Sequence, residues 1–302
     1  MLLLLRDKHK FLFKLTLVVL IFFFLFKTIY LHWTPITQHR FKLDPSFLAL
    51  SYILFFLHST LLVYQWHLIL KGMGEKLGFL KSFSIHYLSQ MGKYLPGFIW
   101  SIIGKFYLTQ KEGIGSPKVL FSILYQHALL ALTGMIILPG TLFLEKRLLI
   151  YYRYQFLTLA IMGITIAFYP KYLNKILEYI FRLFKKKYIP LAIHYKTSLS
   201  LLPLFVFTWI VGGLAFFCFV HSFYEISFSQ LPDFIGIFTV TSMIGLVPIT
   251  PGSIGVREGI LSYLLSFAIP LPFAISISLL SRVWTTLGEL VLIAVAYISR
   301  RS

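Results

Sequence analysis

Long apolar runs, separated by short basic segments, make up most of the chain. A helix needs roughly 17 to 25 apolar residues to cross a hydrocarbon core about 30 Å thick. Six runs have a suitable length, and they cover residues 11–31, 46–70, 119–143, 154–170, 200–222 and 272–298. The pattern therefore predicts an all-α protein with about six membrane-spanning helices.

Two further apolar stretches, residues 83–108 and 234–268, are interrupted near the middle by residues that break helices. The interruptions are Pro96 and Gly97 in the first stretch, and Pro248, Pro251 and Gly252 in the second. Each half is too short to cross a membrane. Irregular backbone at membrane depth is tolerated only where it is buried in protein or lines a cavity. We therefore predict that each stretch enters the membrane and returns to the same side as a re-entrant hairpin.

Composition agrees with a protein embedded in a membrane. Hydrophobic residues make up 58% of the chain, charged residues make up 13%, and the mean hydropathy is +0.82. Soluble domains average about 25% charged residues. We therefore expect residues 1–302 to form a single integral membrane domain. The one cysteine, Cys218, lies in an apolar run, which argues against a disulfide framework or a thiolate metal site.

The chain is strongly basic, with 28 Lys and Arg against 10 Asp and Glu and a formal net charge of +18. Without a soluble domain to carry this charge, the pattern favours basic loops facing anionic lipid over binding to nucleic acid. The most basic segment, residues 171–196, also contains an amphipathic helical pattern over 171–189. We predict that this segment is a linker that lies on the inner leaflet.

The distribution of basic residues also predicts the topology. If both interrupted stretches return to their own side, the 171–196 linker and both termini lie in the cytoplasm. The loop at 145–153 has three basic residues and then lies outside, contrary to the rule that basic loops face the cytoplasm. The predicted location is the cytoplasmic (plasma) membrane, the inner membrane of a cell that has two.

The two interrupted stretches occupy corresponding places in two halves of the chain, about 46–143 and about 200–298. A shift of 155 residues places Pro96-Gly97 on Pro251-Gly252, and the topology gives the two halves opposite orientations. Inverted repeats with broken helices are typical of secondary transporters. A chance match of two apolar stretches around a common Pro-Gly pair remains the alternative.

Four charged residues, Arg257, Glu258, Arg282 and Glu289, interrupt the apolar sequence of the second half. A charge at the centre of a membrane costs about 2.5 to 3.5 kcal/mol on insertion scales. Arginine offers a planar fork of donors that suits phosphate oxygens. We predict that Arg257 and Arg282 bind a lipid phosphate and that Glu258 is a counter-ion or a proton-coupled switch. The alternative is that Glu258 pairs with an arginine only to hold the broken helix.

The seven-residue spacing of Arg282 and Glu289 places both side chains on one face of a helix. We include Glu289 in the predicted substrate site for this reason.

Backbone groups near the second break are further candidates for binding an anion. Pro251 begins a segment in which Gly252, Ser253 and Gly255 precede the next helix. The free N–H groups at the start of a helix form a ready anion site. In the first half, Lys93 lies just before the break, and we predict that it contacts phosphate from the cytoplasmic side.

Two other polar residues of the first half have simpler explanations. Lys105 follows the first break, and we expect its amine to snorkel to the membrane interface. His127 lies in a predicted span, where a hydrogen bond between helices is favoured over a proton relay.

Several of these residues resemble the lysylphosphatidylglycerol synthase transmembrane region, also called the flippase-like domain. The resemblance rests on PGSIGVRE at 251–258, on GKYLPG at 92–97 and on Arg282, and it covers roughly 12–298. Ser253 stands where the family commonly has a second glycine. The resemblance implies re-entrant helices and, in the multiple peptide resistance factors, movement of aminoacylated phospholipid between leaflets. Other relatives are associated with lipid-linked sugar pathways.

The lysyl-transferring synthases carry a soluble catalytic domain after the membrane region. Because this chain ends at Ser302, we expect a stand-alone translocation domain rather than a lysyltransferase. The predicted substrate is an anionic phospholipid or a lipid-linked sugar intermediate. We find no recognisable catalytic motif, and we expect no cofactor and no metal.

Two other functions fit the same sequence. The first is a lipid-head-group or glycosyl transferase that uses acids of the outer loops, Asp44 and Asp233 among them. The second is a non-transporting subunit that scaffolds a partner synthase or glycosyltransferase.

Overall fold

The computed structural model of the protein describes residues 43–94, 100–141, 195–245 and 255–299, together with positions 175, 178, 179 and 182. Within these ranges the regular structure is helical, and no strand occurs. The α-helices are α1 (Pro45–Gly72), α2 (Phe79–Gln90), α3 (Trp100–Lys111), α4 (Ser116–Thr141), α5 (Tyr195–His221), α6 (Leu231–Gly245), α7 (Val256–Leu265) and α8 (Leu271–Ser299). Short 3-10 turns cover Met91–Tyr94 and Phe228–Gln230.

Four of the helices, α1, α4, α5 and α8, are long and apolar enough to span a membrane. Their apolar spans contain 28, 23, 23 and 29 residues respectively. They confirm the spans that the sequence predicts at 46–70, 119–143, 200–222 and 272–298. The other two predicted spans, 11–31 and 154–170, lie outside the described residues.

The other four helices, α2, α3, α6 and α7, are short, with 12, 12, 15 and 10 residues. At 1.5 Å per residue even the longest measures only about 23 Å, which is less than the thickness of the hydrocarbon core. Each interrupted stretch is therefore divided into two helices, neither of which can cross a membrane. Pro96, Gly97 and Pro251 themselves lie outside the described residues, and the re-entrant path of both hairpins stays a prediction.

Helices α2 and α3 pack against each other and run in opposite directions. A Cβ built on Gly92 would lie 2.6 Å from the backbone carbonyl carbon of Trp100 and 2.7 Å from the nitrogen of Ser101. Only glycine permits two backbones to approach this closely. Gly104, on α3, faces α2 across the same interface, but its Cβ would meet Ser89 at an ordinary 3.4 Å.

The two halves of the chain have the same order of helices: long, short, short, long. The last long helices, α4 and α8, begin at Ser116 and Leu271, which are 155 positions apart. The first short helices, α2 and α6, end at Gln90 and Gly245, with the same spacing. Between the halves, α1 packs against α5, α2 packs against α8, and α6 packs against α4. Each half therefore places a short helix against the last long helix of the other half.

Helix α8 has one face packed in the protein and one face exposed. On the packed face, Trp284 stacks on Phe219 of α5, with ring centroids 4.8 Å apart, and meets Phe55 of α1 edge-on at 5.1 Å. Gly288 lies against the same Phe55 ring, which leaves no room for a Cβ. The exposed face is apolar, as expected for contact with lipid, and includes Val283 and Leu287.

Asp44 has a clear structural role at the start of α1. Its Oδ1 accepts hydrogen bonds from the backbone N–H groups of Ser46 at 2.8 Å and Phe47 at 3.3 Å, and Pro45 occupies the first turn. Such a cap satisfies N–H groups that have no partner within the helix. The backbone N–H of Asp44 also donates to the carbonyl of Ser222 at 2.9 Å, which ties α1 to the end of α5.

Only four positions of the predicted 171–196 linker are described, and all four are helical. Glu178 and Arg182 form an exposed ion pair of 2.7 Å one turn apart. The rest of the linker lies outside the described residues.

A methyl group on Gly92 is expected to destabilise the α2–α3 hairpin. Gly92→Ala forces the backbones apart, and we expect the free energy of unfolding to fall by about 1 to 3 kcal/mol. Gly104→Ala is the matched control, because it adds a methyl group to the same interface where space exists and improves helix propensity. Thermal unfolding in detergent should show a lower Tm for Gly92→Ala only. Equal Tm values for both variants would contradict the close approach.

Candidate functional site

Five charged side chains from separate parts of the chain meet on one side of α8. We call Lys93, Arg257, Glu258, Arg282 and Glu289 the charge cluster. Lys93 Nζ donates to Glu289 Oε2, and Arg282 Nη1 lies 3.7 Å from Glu258 Oε1. Arg257 interacts electrostatically with Glu258, Arg282 and Glu289. The structure thus brings together all five charged residues that the sequence analysis proposes for the site.

The packing of the short helices explains how these side chains meet. Lys93 lies in the 3-10 turn that follows α2, and α2 packs against α8. Arg257 and Glu258 lie in the first turn of α7, which also packs against α8. The end of α2 and the start of α7 therefore place charged side chains against the same long helix.

The charge cluster lies close to the middle of α8. The helix runs from Leu271 to Ser299, so its central residue is Thr285. Arg282 precedes this residue by three positions and Glu289 follows it by four, which correspond to about 4.5 and 6 Å along the axis. Both distances are well within half the thickness of a hydrocarbon core. A membrane centred on α8 therefore has the charge cluster near its midplane.

Within the described residues, the charges of the cluster do not balance. It holds three cations and two carboxylates, and the neighbouring segments 95–99 and 246–254 contain no ionisable side chain. The Glu258 side chain is only 3% exposed, whereas the side chains of Lys93, Glu289 and Arg282 are 24%, 22% and 27% exposed. One carboxylate is thus buried, whereas the side chains of Lys93, Glu289 and Arg282 are partly exposed.

Glu258 also holds the start of α7. Its Oε2 accepts a hydrogen bond of 2.7 Å from the backbone N–H of Gly255. Gly255 has φ +84°, a left-handed conformation that favours glycine. The sequence analysis proposes the backbone N–H of Gly255 as a donor to a lipid phosphate. In the structure this N–H already donates to the carboxylate of Glu258. Gly252 and Ser253, the other two backbone candidates, lie outside the described residues.

A second group of polar side chains lies between α2, α3 and α4. Lys105 is only 6% exposed, and its Nζ lies 4.0 Å from the centroid of the Trp66 ring. The Nζ also lies 3.3 Å from Gln126 Oε1 and 3.3 Å from His86 Nδ1. The expectation that Lys105 snorkels to the interface is therefore wrong. Because α3 packs between α2 and α4, the amine points into the protein.

The sequence analysis overlooked most of this second group. His86 and Trp66 carry no motif, and nothing in the sequence shows that residues so far apart meet Lys105. His127 lies close by, but its Nδ1 hydrogen bonds to the carbonyl of Ile123, at 2.7 Å, within its own helix. The expected hydrogen bond between helices is not among those the structure describes.

A comparison with known protein families identifies the chain. The sequence profile of the lysylphosphatidylglycerol synthase TM region matches residues 11–293. The chain belongs to this family. The match covers both interrupted stretches and all five members of the charge cluster. It supports a lipid-related role in a membrane, in agreement with the four long apolar helices. No curated protein matches the chain.

The acids that a transferase would use lie elsewhere in the fold. Asp44 caps α1, and Asp233 lies in the first turn of α6, where a carboxylate favours the positive end of the helix dipole. Neither belongs to the charge cluster. Within the described residues, no group of three His, Cys, Asp or Glu side chains has an arrangement suited to a metal ion.

The Lys93–Glu289 pair should couple the two halves of the protein energetically. In a double-mutant cycle with Lys93→Met and Glu289→Gln, we expect a coupling energy of about 1 to 3 kcal/mol. The matched control is Lys81–Glu112, which is also an ion pair between short segments but has a lysine side chain that is 66% exposed. Its coupling should be at most about 1 kcal/mol. Unfolding in detergent measures both cycles, and equal coupling energies would contradict a special role for Lys93.

Proposed function

We propose that this protein binds the phosphate of an anionic phospholipid or a lipid-linked intermediate at the charge cluster and aids its movement between leaflets. The observation that carries the proposal is the meeting of three cations and two carboxylates near the middle of α8. A charged side chain near the middle of a membrane is costly unless it is paired or hydrated. A lipid phosphate provides the negative charge that the cluster lacks.

The arrangement of the cations suits a phosphate group. Arg257 and Arg282 lie on adjacent helices, and Lys93 reaches the cluster from the other half. Guanidinium groups bind phosphate oxygens through two parallel hydrogen bonds, and lysine adds a point charge. The Arg282–Glu258 contact of 3.7 Å is longer than a good charge-assisted hydrogen bond, so Arg282 retains capacity for a further acceptor.

Ion pairs within the cluster make reversible binding feasible. A phosphate that reaches Lys93 or Arg282 competes with Glu289 and Glu258 for the same donors. When the lipid leaves, Glu289 and Glu258 pair with Lys93 and Arg282 again. Glu258 can therefore serve both as a structural carboxylate that caps α7 and as a counter-ion, with no covalent chemistry at the site.

The organisation of the two halves supports alternating exposure of this site. Both halves have the same order of helices, and the packing of α2 on α8 mirrors that of α6 on α4. We take the halves as an inverted repeat whose short helices re-enter the membrane, with both termini in the cytoplasm. In transporters of this kind the substrate site lies at the interface of the repeats, near the midplane. Rocking of one half against the other then exposes the cluster to each leaflet in turn.

The test is transport of a fluorescent anionic phospholipid in vesicles that contain the purified protein. Arg257→Gln and Arg282→Gln should each slow transport by about 10- to 100-fold, because a hydrogen bond to a charged group contributes about 1.5 to 3 kcal/mol. Lys111→Gln is the control. This substitution also removes one positive charge, but from an exposed lysine that is not part of the charge cluster. Full transport by both arginine variants would contradict the proposal.

The purified protein also distinguishes the proposal from the two alternative functions. A scaffold subunit predicts no lipid movement by the purified protein and stable co-purification with a synthase. A transferase predicts a new covalent lipid product that disappears in Asp44→Asn, a variant that can still cap α1.

A further inference from the structure

The group around Lys105 has no part in the proposed phosphate site and needs a separate explanation. We call Lys105, His86, Gln126 and Trp66 the Lys105 cluster. Its amine is buried, and within the described residues no carboxylate lies at ion-pair distance from Lys105. A buried ammonium without a counter-ion is costly, so burial favours the neutral amine.

The partners of Lys105 can stabilise a proton only weakly. The Nζ distances to Gln126 Oε1 and His86 Nδ1 are both 3.3 Å, whereas charge-assisted hydrogen bonds measure about 2.7 to 2.9 Å. The face of the Trp66 ring adds a cation–π contact. Gln126 is held in place because its Nε2 donates to the carbonyl of Leu62 at 2.7 Å, which turns Oε1 toward the amine. The cluster is thus built to tolerate one positive charge.

A second positive charge does not fit. His86 Nδ1 can accept a hydrogen bond from the Lys105 ammonium only when its imidazole is neutral, with the ring proton on Nε2. Protonation of both groups would place like charges 3.3 Å apart in a buried site. His127, on α4, lies within electrostatic range of Lys105 and His86 and opposes a second charge further. The Lys105 cluster therefore holds at most one proton at a time.

His86 connects this cluster to the charge cluster. It lies on α2 one turn before the 3-10 turn that carries Lys93, and it interacts electrostatically with both Lys93 and Lys105. Lys93 in turn pairs with Glu289 and lies within electrostatic range of Arg282 and Arg257. A proton on the Lys105 cluster therefore adds positive potential at the place where the lipid phosphate is proposed to bind.

We propose that Lys105 and His86 share one exchangeable proton and that this proton site is coupled to anion binding at the charge cluster. The inference rests on the proposed function, because the bound anion is the lipid phosphate. Coupling between two sites is reciprocal. Protonation strengthens phosphate binding, and phosphate binding takes up a proton. Lipid movement between leaflets is then able to carry a proton with it.

The experiment measures the affinity of the purified protein for phosphatidylglycerol in neutral maltoside micelles, from about pH 5 to about pH 9, a range that covers histidine and buried lysine. The phosphodiester of this lipid does not titrate in that range, so any pH dependence belongs to the protein. We expect wild-type affinity to rise at least about fivefold as the pH falls. Lys105→Met should shift this dependence to lower pH, because it keeps the apolar stem and leaves only His86 to bind the proton.

Lys111→Met is the matched control, since Lys111 also lies over an aromatic ring, at 4.6 Å from the Tyr107 centroid, but is exposed. It should retain the wild-type pH profile. A second measurement needs only the wild-type protein. Adding phosphatidylglycerol in weak buffer near neutral pH should take up protons, which a pH-indicator dye reports, and should take up none in the absence of protein.

The outcomes separate this inference from the function on which it rests. Affinity that is independent of pH, or an unchanged pH profile in Lys105→Met, overturns the proton site while phosphate binding stands. The absence of proton uptake by wild type also overturns the proton site, and this measurement does not depend on whether Lys105→Met folds. Wild-type binding that is equal to that of Arg282→Gln at every pH overturns the phosphate site, and the inference falls with it.

Discussion

The cost of placing charge in an apolar medium is the constraint on which the rest of this structure depends. Helix α8 carries Arg282 and Glu289 within about 6 Å of its middle, where a membrane offers neither water nor counter-ions. The protein meets this demand by placing Lys93 beside Glu289 and Glu258 beside Arg282. Lys93 follows the short helix α2, and Glu258 lies in the first turn of the short helix α7. The short helices are therefore what makes the charge cluster feasible.

Much of the architecture can be predicted from the sequence because its signals are local. The long apolar runs predict α1, α4, α5 and α8 to within a few residues at each end. Proline and glycine that fall close together predict the division of both interrupted stretches, since such a pair disfavours a continuous helix. Candidate site residues could also be chosen one by one, because an arginine or glutamate in an apolar run needs no knowledge of its neighbours to attract notice.

Pairings between distant residues could not be predicted in this way. Lys93 and Glu289 are separated by 196 positions, and their contact depends on α2 packing against α8. Lys105 shows the same difficulty. In the sequence it is a lysine near the end of an apolar helix, for which snorkelling is the usual outcome. Only the packing of α3 between α2 and α4 shows that the amine points inward to Trp66 and Gln126.

The central claim is that the charge cluster binds a lipid phosphate, and lipid mass spectrometry of gently purified protein tests it most directly. Wild type would be compared with Arg282→Ala, with Lys111→Ala as the control for loss of a charge. We predict that one class of phosphate-bearing lipid is enriched on wild type and on Lys111→Ala and is lost from Arg282→Ala. The same bulk lipids on all three proteins would contradict the account and leave these charges as structural ion pairs.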